Sequence, residues 1–127
     1  MSCNLLIVDD SPILRAAIKK TARLAGVKDE GISEAGNGKE ALEVLETHWV
    51  DLILLDLNMP VMNGEEFVEA LKKSETLASI PVVVVSTESN RDRLSRLKDL
   101  GVVATLHKPF EPEDLCHLIS QTLGVKL

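Results

Sequence analysis

The chain has 127 residues, 45% of them hydrophobic and 27% charged, a length that suits one compact domain able to bury about two-thirds of its extended surface without a disulfide or metal staple. Fourteen basic residues against twenty acidic ones leave a net charge of −6, which argues against direct nucleic-acid binding because the basic footprint that phosphate backbones demand is missing. Apolar runs such as Leu52–Leu55 and Val82–Val85 are far too short to cross a bilayer, so no membrane insertion is expected.

Short apolar runs and amphipathic stretches alternate five times. Leu5-Leu6-Ile7-Val8 reads as a buried strand closed by Asp9 and Asp10. Ser11 or Asp10 can cap the helix that follows, and Pro12 suits its first position. Ile13, Leu14, Ala17, Ile18 and Ala25 are expected to form its apolar face, with Gly26 as its stop. A weaker strand is expected over Ile32–Ala35, and Asn37-Gly38 turns the chain into a helix bearing Ala41, Leu42, Val44 and Leu45. Leu52–Leu55 is the third strand and ends in Asp56. The loop from Asn58 to Gly64 leads to a helix with Phe67, Val68 and Leu71 on one side.

Pro81 introduces the fourth strand, four consecutive valines at Val82–Val85, a β-branched run that favours extended backbone. Ser89 or Asn90 can cap a charged helix carrying Leu94, Leu97 and Leu100, stopped by Gly101. The fifth strand is short, Ala104 to His107, and the last helix runs from Glu111 to about Leu123 with Leu115, Leu118, Ile119 and Leu123 inward. No linker or low-complexity segment interrupts the pattern, so residues 1–127 read as a single domain. The first basic residue, Arg15, follows the opening apolar stretch rather than preceding it as in a secretory leader. Cys3 and Cys116 have no metal-ligand spacing, and a cytoplasmic location is expected.

Continuous apolar strands alternating with helices predict a parallel sheet covered on both faces. The expected fold class is a doubly wound (βα)5 three-layer α/β sandwich of the flavodoxin-like kind, with the strand order 2-1-3-4-5 taken over from known folds of that kind rather than from the pattern itself. Functional groups in such folds gather beyond the carboxyl ends of the strands. Those ends carry Asp9 and Asp10, Asp56, Ser86 and Lys108. Singly, each has an ordinary explanation: acids favoured by a helix dipole, a strand terminator, a cap. Together they place three carboxylates, a hydroxyl and an ammonium at one edge. One lysine leaves that cluster at −2, which a divalent cation neutralises; Mg²⁺ suits hard oxygen donors beside phosphate, with Mn²⁺ as the alternative. An aspartate there can act as a nucleophile toward phosphorus, with lysine and metal holding the phosphoryl oxygens.

At Val8-Asp9-Asp10-Ser11, Asp56-Leu57-Asn58-Met59-Pro60 with Asn63-Gly64, Val85-Ser86-Thr87-Glu88 and Lys108-Pro109-Phe110, the chain resembles response-regulator receiver domains, especially the single-domain chemotaxis type. The resemblance spans essentially the whole chain. It implies that Asp56 accepts a phosphoryl group from the phosphohistidine of a histidine kinase or phosphotransfer protein. It also implies that Asp10, Asp56 and the Asn58 main-chain carbonyl bind Mg²⁺ directly and Asp9 binds it through water. Lys108 would pair with the phosphoryl group, Ser86 would be the switch hydroxyl, and a cis peptide would fall at Lys108-Pro109. Asn58, Thr87 and Glu88 occupy positions near the phosphoryl group, Asn58 and Glu88 matching those that tune its lifetime. The downstream partner would read the face built from the fourth helix, fifth strand and fifth helix, without an output domain in this chain. Two departures stand out: Thr105 replaces the common aromatic output switch, and Thr87 replaces the usual smaller side chain.

Three rivals compete with this reading. A phosphorelay intermediate or a constitutive interaction module would use the same fold. A haloacid-dehalogenase-type phosphatase would want an acid at position 58, where this chain has Asn, and a cap domain. Met59 and Met62 are expected to pack, Trp49 to pack at an edge, and His48, His107 and His117 to be solvated or locally bonded. Arg91, Arg93, Arg96 and Lys98, interleaved with Asp92 and Asp99, read as a solvated helix face.

Overall fold

The computed structural model describes residues 3–124. In chain order the elements are β1 (Leu5–Val8), α1 (Pro12–Leu24), a 3-10 turn at Asp29–Gly31, β2 (Ile32–Ala35), α2 (Gly38–Thr47), β3 (Leu52–Leu55), α3 (Gly64–Lys72), β4 (Val82–Ser86), α4 (Arg91–Asp99), β5 (Ala104–His107) and α5 (Pro112–Leu123). The strands form one sheet in the order β2-β1-β3-β4-β5, all pairs parallel. This is the expected flavodoxin-like (βα)5 sandwich.

Alternation within the strands sorts the core into two layers. Leu6, Val8, Ile53, Leu55, Val82 and Val84 pack with Ala41, Leu45, Phe67, Val68, Leu71 and Leu97 of α2, α3 and α4. Leu5, Ile7, Leu52, Leu54, Val83 and Val85 pack with Ile18, Ala22, Leu115 and Ile119 of α1 and α5. β1, β3 and β4 are buried along their whole length, as central parallel strands must be. The edge strand β5 alternates instead, exposing Thr105 and His107.

Local signals in the sequence fall where the chain needs them. The Ser11 hydroxyl accepts from the Leu14 N–H at 3.2 Å, Asn37 and Asn90 cap α2 and α4 through Glu40 and Arg93 N–H groups, and Asn63 and Glu66 form a reciprocal capping box on α3. Gly26 and Gly101, both at φ 97°, follow α1 and α4 in the left-handed region that glycine enters without penalty.

Three packing expectations are corrected. Ile13 is 81% exposed and Leu14 36%, and Ala17 is exposed as well. The inward face of α1 is Ile18, Thr21 and Ala22, because α1 starts beyond the carboxyl end of β1 and only its later turns lie over the sheet. Trp49 does not pack at an edge; it is 78% exposed, its indole N–H donating to Asp51 Oδ1 at 3.0 Å, while the neighbouring Val50 fills the core. Arg93 leaves the solvated face assigned to it and is half-buried against Glu65. Met59 and Met62 pack against the first core layer as expected. His48 is locally bonded to the Val44 carbonyl, and His107 is exposed as expected, with its Nε2 3.1 Å from the Thr87 carbonyl of a neighbouring segment.

Candidate functional site

The carboxyl edge of the sheet is built by register. Val8 lies beside Leu55 across the β1–β3 pair, so Asp9 and Asp56 leave adjacent strands side by side. The Asp56 N–H donates to the Val8 carbonyl at 2.8 Å, continuing the ladder one step past the strand ends. With Asp10 they offer carboxylate oxygens that all lie within 4.8 Å of one another, the one such acidic group among the described residues. Asp9 and Asp56 are buried, at 1% and 8% exposure, and Asp10 faces solvent.

Lys108 closes the cluster from β5. Its N–H donates to the Ser86 carbonyl at 2.8 Å, and the peptide to Pro109 is cis. Its Nζ donates to Asp9 Oδ2 at 2.7 Å and stands 3.7 Å from Asp56 Oδ1. The lysine is thus paired first with Asp9 and only secondarily with Asp56. Asp9 is held further by the Ser11 N–H on Oδ1 at 2.9 Å, and Asp56 Oδ1 accepts from the Leu57 N–H at 2.8 Å. Burial pushes the Asp56 carboxyl above its ordinary range; Lys108 opposes that, and Asp9 and Asp10 reinforce it.

Three carboxylates and one ammonium leave the edge negative, and the donors are all hard oxygens. That set fits a small divalent cation, which would relieve the repulsion. No other combination of acids, histidines or cysteines among the described residues does so.

Ser86 ends β4 and is buried, 3% exposed, with its Oγ accepting from the Glu88 N–H at 3.1 Å. The hydroxyl hydrogen is therefore left to donate elsewhere. Thr87 is exposed and Glu88 half-buried. Asn58 lies on the rim, its Oδ1 accepting from Arg93 Nη1 at 3.0 Å. Thr105, exposed on β5, lines the same cavity of about 350 Å³ as Ser86. Asp9, Asp10, Asp56, Ser86 and Lys108 thus stand at this edge, Asn58, Thr87 and Glu88 follow β3 and β4 directly, and Thr105 lies further back in β5, opposite Val84.

Two arginines that the sequence reading did not assign to the site complete the surroundings. Arg15, on α1, donates through Nη1 to the Asp9 carbonyl at 2.6 Å and through Nε to Glu34 Oε1 at 3.2 Å. Arg93, on α4, pairs with Glu65 of α3 and lies 3.5 Å from Glu88 besides bonding Asn58. Burial lowers the pKa of its guanidinium, but Glu65 and Glu88 outweigh that and hold it above its ordinary value. Arg93 and Glu65 are 28 positions apart, and no local periodicity announces such a pair.

Residues 5–120 match the family described as response regulator receiver domain. A curated relative, a probable transcriptional regulator from Porphyra purpurea, is 34% identical over 126 residues, which is 97% of this chain and 57% of that protein. The chain therefore spans about half the length of the curated relatives it first matches. Among solved structures, the chemotaxis protein CheY4 of Vibrio cholerae is 32% identical with a TM-score of 0.87, covering 97% of this chain and 100% of that one. The receiver domain of the sensor histidine kinase PA1611 from Pseudomonas aeruginosa, solved with magnesium in its active-site cleft, shares the fold at a TM-score of 0.85 and 21% identity, over 98% of this chain and 99% of that one. With the strand order, the acidic edge and the buried lysine already in place, these matches make the conclusion plain: the chain belongs to the response regulator receiver domain family.

Proposed function

We propose that this chain is a Mg²⁺-dependent phosphorylation switch of two-component signalling in which Asp56 is the phosphoacceptor. The observation that carries the reading is the placement of Asp56: buried, beside Lys108 at 3.7 Å and within 4.8 Å of two further carboxylates. A carboxylate oxygen of Asp56 attacks phosphorus of a phosphohistidine on a histidine kinase or phosphotransfer protein. The P–N bond breaks, the electron pair and a proton end on the imidazole, and an acyl phosphate remains on Asp56. Asp10, Asp56 and the Asn58 main-chain carbonyl would hold the metal directly and Asp9 through water; when bound, Mg²⁺ neutralises charge on the transferring phosphoryl group.

This chain's own residues do the rest. Lys108 can swing from its shared position between Asp9 and Asp56 to a phosphoryl oxygen, and Ser86 can donate its free hydroxyl hydrogen to another. Both moves pull on β5 and the loop after β4. Asn58, Thr87 and Glu88 stand on the rim and set how long the phosphoryl group survives. Output runs through the face of α4, β5 and α5, where Arg91, Leu94, Lys98, Val103 and Thr105 line a groove of about 430 Å³. Thr105 is too small for an aromatic swing, so displacement of α4 against β5 carries the signal to a protein partner. The chain acts as a phosphoacceptor and not as an enzyme on other substrates, with residues 1–127 as one receiver domain.

Intact-mass measurement after exposure to phosphoramidate tests this, with and without Mg²⁺ and alongside Asp56→Asn. One phosphoryl adduct that needs both the metal and Asp56 is expected. Full incorporation by the Asn variant, or none by the wild type with Mg²⁺ present, would overturn the assignment.

A further inference from the structure

Arg93 behaves unlike the other cations of its helix. Arg91, Arg96 and Lys98 are exposed, whereas the Arg93 side chain keeps only 19% of its surface. Its guanidinium reaches three acceptors on three segments: Glu65 in the first turn of α3, Glu88 at 3.5 Å, and Asn58 Oδ1 at 3.0 Å. Asn58 follows Asp56 by two residues and Glu88 follows Ser86 by two. Since β3 and β4 are paired neighbours, this one side chain fastens together the loops on either side of the mouth between Asp56 and Ser86. A planar guanidinium can serve several acceptors at once in fixed directions, which an ammonium cannot do.

We propose that Arg93 is a positioning residue that sets the lifetime of the phosphoryl group on Asp56 by clamping Asn58 and Glu88 across the mouth of the site. The inference rests on the reading of Asp56 as phosphoacceptor and adds a residue outside the acid–lysine cluster. Hydrolysis needs a water in line with the bond from phosphorus to the Asp56 oxygen. The water oxygen bonds to phosphorus, the bond to Asp56 breaks, a water proton leaves to a base or to solvent, and inorganic phosphate and the free carboxylate result. With the clamp closed, Asn58 has its oxygen turned to Arg93 at 3.0 Å, and the Glu88 carboxylate is drawn toward the same guanidinium at 3.5 Å. The Asn58 oxygen is then turned away from orienting that water, and the Glu88 carboxylate away from accepting its proton. Without Arg93 both side chains rotate, the mouth widens, and an unpaired carboxylate stands beside the line of attack.

The test loads the full chain with phosphoramidate and Mg²⁺, removes the donor, and follows loss of the adduct by intact mass. Arg93→Ala is expected to shorten the half-life about five-fold, and Arg93→Lys to restore only part of it. Arg96→Ala, which removes a contact to Glu65 at 3.6 Å but none to the rim, is expected to leave the half-life unchanged. In an Asn58→Ala, Glu88→Gln background the Arg93 effect should vanish, a result that general loosening of α4 would not produce. An unchanged half-life in Arg93→Ala, or an equal effect in the double-variant background, overturns the inference while the adduct on wild type still stands. Failure of the wild type to form an adduct points instead to the phosphoacceptor reading as the part that is wrong.

Discussion

Replacing Asp56 by Asn should make the metal-free protein more stable. The Asp9 and Asp56 oxygens lie within 4.8 Å, a repulsion of at least about 3.5 kcal/mol at an effective dielectric constant near 20. Lys108 at 3.7 Å returns about 4.5 kcal/mol on the same scale. The two nearly cancel, so burial decides. Asp56 is only 8% exposed, and ionising it there costs desolvation that Asn does not incur; repulsion from Asp10, screened by solvent, adds to the cost. Asn keeps the acceptor for the Leu57 N–H, and Lys108 keeps Asp9 at 2.7 Å. The net gain is about 1–2 kcal/mol, or about 4–8 °C in Tm for a domain of this size.

The pH dependence has a definite sign. The folded-state pKa of Asp56 is raised above the ordinary 3.8, so folding takes up a proton between those two values. Asp56 therefore contributes to wild-type stability increasingly as pH falls through the raised pKa, and the advantage of Asn shrinks there because the wild-type group is neutral as well. Mg²⁺ is expected to reverse the comparison at neutral pH, since a ligand of the native state stabilises by RT ln(1 + [L]/Kd) and the Asn variant has lost one carboxylate for it. Thermal melts of both proteins in chelator and in Mg²⁺, across pH, measure all three effects. A lower Tm for the Asn variant in chelator at neutral pH would refute the reasoning.

Two other substitutions probe how the edge is held. Lys108→Ala strands Asp9, which is 1% exposed, without its cation; a loss of about 2–3 kcal/mol is expected in chelator by urea unfolding, shrinking when Mg²⁺ replaces the missing charge. The same variant should still take up phosphate on Asp56 but show a weaker conformational response, read as a smaller spectral change between free and phosphorylated forms. Gly64→Ala places a Cβ 2.5 Å from the Asp56 carbonyl and 2.9 Å from Leu57 Cα, contacts with backbone that cannot yield cheaply. It should cost about 2 kcal/mol in urea unfolding and slow phosphoramidate loading by displacing Asp56; unchanged values for both would show that the α3 start can move away freely.

Much of this protein was legible along the chain because its signals are local. Apolar runs mark β1 and β3 and all of β4 but its last residue, Ser86, while the weaker β2 and β5, with polar residues between apolar ones, were placed only approximately. Side-chain caps and glycine stops sit next to the helices they bound, so Ser11, Asn90, Gly26 and Gly101 could be read without a partner in view. The strand-end acids and Lys108 were legible for a related reason: once strands alternate with helices in a parallel sheet, every strand must end at the same edge.

What the tertiary structure decided are the pairings between distant segments. Lys108 could have bonded any of three carboxylates, and only the fold shows that Asp9, 99 positions away, takes it at 2.7 Å while Asp56 is left with the longer contact. The same holds for α1, whose apolar periodicity ran past the sheet, so that Ile13 and Leu14 meet solvent instead of core. It holds most for Arg93. Its sequence neighbourhood is that of a solvated helix, yet α3 and the loops after β3 and β4 converge on it with Glu65, Asn58 and Glu88. A residue's own periodicity reports which way it faces on its element, but what it meets there depends on where other elements are packed, and that information is spread over the whole chain.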